Sequence, residues 1–147
     1  MAHVRKQIRD RVATILKSNV GLVKRRVYTT RVHPLNDTNL PAISVYTGSE
    51  ASERMNAGVT DMIRELTLDI DIYVRETSKF DDDVDAIAVQ VEEALAGDFT
   101  INGLAKFSVL TSTEIQFDGE ADQILGIAKL TYSIRYVTAI NDVETAK

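Results

Sequence analysis

The chain has 147 residues, 44% of them hydrophobic, with two histidines and no cysteine. That is enough apolar material for one packed core; it excludes disulfides, thiolate zinc sites and cysteine nucleophiles and leaves little for a histidine-based metal site. The formal net charge of −5 is divided unevenly: residues 1–36 carry nine Lys or Arg against Asp10 alone, a net of +8, while the remaining eight basic and 21 acidic side chains give −13.

Such a charge dipole marks a solvated basic helix face, a nucleic-acid arm, or copies that meet head to tail, basic region on acidic region. The basic stretch holds one aromatic, Tyr28, and no reading motif, which speaks against nucleic acid. No apolar run approaches the roughly 20 residues that span a bilayer. Nor does the N-terminus show the apolar segment of a signal peptide, so the expected setting is a cytoplasm.

In chain order, Val4, Ile8, Val12, Ile15 and Leu16 recur at helical spacing and predict an amphipathic helix over residues 3–19 that Gly21 ends. Residues 27–32 predict a short strand, residues 33–40 a loop of turn residues, and residues 42–47 a second strand after Pro41. The segment 48–61 is small, polar and glycine-bearing, and reads as a long loop whose Glu50, Glu53, Arg54 and Met55 are contact candidates. A third, central strand follows over 62–74, with Met62, Leu66, Leu68, Ile70, Ile72 and Val74 turned inward, Arg64 the exception, and Glu65, Thr67, Asp69, Asp71 and Tyr73 turned outward.

Phe80, Val84, Ile87, Ala88, Val91 and Leu95 define a second helix that ends at Gly97. Its aspartates, Asp81, Asp82, Asp83 and Asp85, complement the positive end of the helix dipole; the run lacks the alternating ligands and turn glycine of a calcium loop. A long hairpin closes the chain: Phe107, Val109, Thr111, Thr113, Ile115 and Phe117 alternate before a turn at Asp118 and Gly119, and Ala128, Leu130, Tyr132, Ile134 and Tyr136 after it. The sum is an α+β fold in one domain, 1–147, a single antiparallel β-sheet of about five strands with two helices packed on one face and residues 141–147 as a flexible tail.

Motifs of chemistry are missing. The sequence has no phosphate-cradling glycine loop, no Gly-x-Ser-x-Gly turn and no His-Glu-x-x-His pair, and His33 stands beside Pro34 with no carboxylate in view. Asp69 and Asp71 share a strand face, which general acid/base work would need, but a solvated polar face with Glu65, Glu114, Lys129 and Arg135 explains them more simply. A non-enzymatic protein that works through its surfaces, with no cofactor, is the expectation.

The basic first helix, LPAISVYTGSE at 40–50, ELTLDIDIYVRE at 65–76, the second helix and TEIQFDGEADQILGIAKLTYSIRYVT at 113–138 together resemble the tail terminator proteins of tailed phages, the group that includes lambda-like minor tail protein U. The resemblance implies a virion protein that forms a hexameric ring at the head-proximal end of the tail, caps the tail tube, halts its polymerisation and meets the head connector, assembled in the host cytoplasm. Its implied partners are its own copies, the tube protein and the connector, with DNA passing through the lumen unread and no membrane involved. On this view Arg5, Arg9, Lys24, Arg25 and Arg26 face a neighbour's Asp81, Asp82 or Glu92, the 48–61 loop reaches the tube or the next subunit, and Glu65, Asp69, Asp71 and Glu114 line a lumen that must not hold DNA. The rival readings are a connector or tail-completion protein of the phage neck, and a ligand-binding α+β module.

Overall fold

A computed structural model describes residues 2–29, 40–55, 60–75, 79–118 and 125–147. The first helix, α1, spans Val4–Asn19, and its buried Val4, Ile8, Val12, Ala13, Ile15 and Leu16 form one stripe. The His3 ring nitrogen Nδ1 accepts from the Arg5 backbone N–H at its start, and a 3-10 turn at Gly21–Val23 follows its end. The second helix, α2, spans Phe80–Ala96 and buries Phe80, Val84, Ile87, Val91 and Leu95, with Asp81, Asp82 and Asp83 in its first turn.

Among the described residues six strands form one sheet: β1 Val27–Tyr28, β2 Ala42–Arg54, β3 Asp61–Arg75, β4 Phe107–Asp118, β5 Leu125–Ala139 and β6 Asp142–Ala146. Their order is β1-β2-β3-β5-β4, with β6 also on β5. The sheet is mixed and not purely antiparallel, because β1 runs parallel to β2, Val27 opposite Ile43 and Tyr28 opposite Ser44. Alternation gives the face a residue takes but not the direction of its neighbour, so the sequence could not supply this. Of the rest of the expected first strand Thr29 is a bend, and residues 30–32, with all of the 33–40 loop but Leu40, lie outside the described residues.

Three further expectations change. The 48–61 loop is in large part strand: β2 continues to Arg54, opposite Met62, with a register shift between Thr47 and Glu50 that absorbs Gly48 and Ser49. Its residues are poor strand formers, but β3 offers them a long ladder, and pairing overrides composition. In β4 the single alternating face is broken by a second shift between Leu110 and Ser112. Phe107 and Val109 therefore pair with Arg135 and Ser133 on the polar face, while Thr113 and Ile115 pair with Leu130 and Ala128 on the helix side. Residues 141–147 are no loose tail: β6 returns onto β5, Gln7 donates to the Glu144 carbonyl (2.8 Å), and Lys147 pairs with Asp61 (2.8 Å).

The core lies between the sheet and the helices. Leu66, Leu68, Ile70, Ile72 and Val74 of β3 and Ala128, Leu130, Tyr132, Ile134 and Tyr136 of β5 are all buried and join the two helical stripes in one cluster. Helix α1 packs on β1, β2 and β6, and α2 on β3 and α1.

Candidate functional site

Glu50, expected on an exposed loop, is instead a half-buried junction. Its side chain is only 12% exposed, as is that of Arg64. One carboxylate oxygen accepts from Arg5 Nη1 (3.0 Å) and Arg64 Nη1 (3.1 Å), and the other accepts from the Tyr136 hydroxyl. Arg64 Nε donates in turn to Thr138 Oγ1 at 3.0 Å. Burial, followed by the Glu50 hydrogen bond and charge, raises the Tyr136 phenol. Burial and the neighbouring Arg5 lower His3. Arg64, the one charge among the inward residues of β3, was the signal: a charge at an inward position demands a buried partner. The partner itself was hidden, because the bulge at Gly48 and Ser49 decides which way Glu50 points.

Beyond this junction the β2–β3 hairpin carries the remaining contact candidates. Glu53, Arg54 and Met55 are exposed, Met55 to 48%. The Met55 N–H donates to the Asp61 carbonyl (3.2 Å) at the last described rung, and residues 56–59 lie outside the described residues.

The polar face of the sheet is less open than its composition suggests. Ser44, Asp71, Lys129 and Glu114 form one cross-strand row. Asp71 is 7% exposed and accepts from the hydroxyls of Tyr46 (2.9 Å) and Tyr73 (3.3 Å), while its Oδ1 has no hydrogen-bond partner. Burial holds its carboxyl above the ordinary value, against the Tyr46 hydrogen bond and the Lys129 charge. Burial and the Asp71 charge push Tyr73 up to about 12. Asp69 accepts from Thr131 Oγ1 (2.8 Å), Glu65 pairs with Arg135, and Lys129 Nζ sits 5.9 Å from the centre of the Tyr46 ring. Of the four lumen candidates, Glu114 and Glu65 are exposed, Asp69 is half-buried and Asp71 is enclosed.

The charged interface candidates separate into engaged and open groups. Arg5 is held by its own Glu50, and Arg26 donates to the Pro41 and Leu40 carbonyls (both 3.0 Å). Arg9 lies 3.9 Å from Asp10. Lys24 and Arg25 are exposed, at φ 51° and 66°, in a left-handed pair that turns the chain from the 3-10 turn into β1. Two such residues without glycine cost about 1 kcal/mol or more each. Asp81, Asp82 and Glu92 are exposed on α2. A cleft of about 480 Å³ is bordered by Leu22 of the 3-10 turn and by Asp83 in the first turn of α2.

Among the described residues no group of three or more His, Asp or Glu is arranged to hold a metal ion. The arrangement offers surfaces: a hairpin arm, a polar sheet face, and charged helix ends.

Residues 3–136 match the family of phage minor tail protein U. A solved structure described as the virion of a native gene transfer agent particle superposes with a TM-score of 0.55 at 16% identity, covering 84% of this chain and 90% of that one, a likeness of fold. No curated protein matches the chain. The family match runs from the residue that caps α1 to Tyr136 in the Glu50 junction and takes in the arm and both helices. The chain belongs to the phage minor tail protein U family and is a structural protein of phage tails.

Proposed function

We propose that the protein caps the head-proximal end of the tail tube as a homo-oligomeric ring, ends tube polymerisation and offers its other surface to the head connector. The family match over residues 3–136 carries this reading. The geometry supports it: the described residues present contact surfaces and no convergent set of nucleophile, base and oxyanion donors. In the ring, Lys24 and Arg25 lie toward acidic residues of a neighbour such as Asp81, Asp82 and Glu92, the hairpin arm with Glu53, Arg54 and Met55 reaches the tube or the next copy, and the polar face borders the DNA path without reading it. The expectation that the ring is a hexamer rests on the family resemblance.

Light scattering of the purified chain at low and high salt, with negative-stain imaging of the chain mixed with isolated tail tubes, tests the reading. Rings that decorate one tube end, weaker at high salt, are expected. A salt-independent monomer that ignores tubes would overturn it.

A further inference from the structure

Among the described residues the sheet has two margins that no further strand covers along their length. Among the described residues no strand pairs with the outer edge of β4, and Thr111–Gln116 are exposed even though Thr113 and Ile115 stand on the helix-facing side, Ile115 at 46%. At the opposite margin β1 pairs only with Ile43 and Ser44, and Ala51, Ser52, Glu53 and Arg54 at the far end of β2 are all exposed. Proteins usually blunt such margins with lysine, proline or very short strands. Strand β4 runs for 12 residues without a lysine or a proline. Its one irregularity is the bulge at Thr111, whose hydroxyl turns back to the Thr131 carbonyl (3.0 Å), and the segment beyond it, Ser112–Gln116, is regular.

On the ring reading above, we propose that neighbouring copies join by strand addition: the Ser112–Gln116 edge of β4 in one copy receives the Ala51–Arg54 end of β2 from the next, so that the sheet continues across the subunit boundary. Strand direction favours a second copy as the occupant. Three antiparallel steps, β2 to β3 to β5 to β4, leave β4 running opposite to β2. A copy placed alongside with its helices on the same side therefore presents β2 in the antiparallel sense, the more stable ladder.

Charge favours the same occupant. Ser52 and Arg54 pair with Arg64 and Met62 and so take the helix-facing side of β2. Carried onto β4, Arg54 emerges beside a groove of about 380 Å³ between α2 and β4, lined by Leu95, Ala96, Leu110, Tyr132, Glu92 and Glu93. The two margins are also different surfaces of one chain, so the contact is heterologous and can close a ring; β4 against β4 would stop at a two-fold dimer.

The absence of native cysteine makes the test clean. Six double variants combine Ala51→Cys or Glu53→Cys with Ser112→Cys, Glu114→Cys or Gln116→Cys, all on the polar side of the sheet. Within one chain β2 and β4 are three strand spacings apart, roughly 14 Å, twice the reach of a disulfide, so every cross-link reports two copies. After oxidation on tail tubes, at least one combination should give a covalent ladder up to the ring, and the single variants none. A second arm needs no cysteine: Arg54→Glu should raise the concentration for half-assembly on the order of tenfold, and Glu92→Arg in the same chain should restore it. Wild-type rings with no ladder in any combination, unchanged assembly of Arg54→Glu, or a loss that Glu92→Arg does not restore would overturn strand addition and leave the ring reading standing. A wild-type chain that never assembles would overturn both.

Discussion

Gly126 shows how one missing side chain sets the spacing of a layer. A Cβ built there would lie 1.4 Å from the ring of Phe80, the first residue of α2, itself 3% exposed. The helix start therefore packs directly on the backbone of β5. Gly126→Ala should lower stability by roughly 1–3 kcal/mol or more through overpacking, seen as a lower urea midpoint, and Phe80→Leu in the same chain should recover part of it. An unchanged midpoint would mean that the ring swings aside freely. Asp71 makes the second case. Burial raises its carboxyl above 3.8, so the folded state holds the proton more tightly than the unfolded chain. Stability tied to this group is full below the unfolded value and is lost as pH rises through the folded one. Relative to Asp71→Asn, the wild type should thus weaken from about pH 4 toward neutrality in urea titrations. A difference that stays flat with pH would show that Lys129 and the two tyrosine hydroxyls offset the burial.

At the scale of elements, Glu50 ties α1 and three strands together: Arg5 of α1, Arg64 of β3 and Tyr136 of β5 all converge on this residue of β2. Removing one partner of a buried pair leaves the other charge uncompensated. Glu50→Ala should cost about 3 kcal/mol and speed hydrogen exchange in the first turn of α1, whereas Glu53→Ala, three residues away and exposed, should cost under about 0.5 kcal/mol. Equal costs at the two positions would remove Glu50 from this role. Helices α1 and α2 and strand β3 were legible in the sequence because each repeats one period over at least four turns or six alternating pairs. The ends of β2 and the face of Ile115 were not, since a bulge costs one residue and leaves no mark in composition.

For the whole molecule, the charge dipole seen in the sequence is only partly a surface property. Arg5 and Arg26 are engaged within their own chain, which leaves Lys24 and Arg25 as the exposed members of the basic set named for the interface. Exposed charges are screened by salt over about 8–10 Å, whereas the Glu50 junction is sheltered. The salt sensitivity expected of the proposed ring therefore belongs to assembly and not to the fold of each subunit. Strand addition, made of backbone hydrogen bonds, would supply the part of the contact that salt leaves intact. The two contributions predict a ring that loosens with salt but keeps the same subunit order.

Periodicity and composition determined the two helices, the long central strand and the one-sided core, because helical and strand repeats are properties of local chain order. The parallel placement of β1, the bulges that redirect Glu50 and Ile115 and the enclosure of Asp71 under Tyr46 came from contacts between residues far apart in the chain. Such contacts select partner, direction and register from many that the same alternation permits, and that selection is made by packing the whole sheet at once.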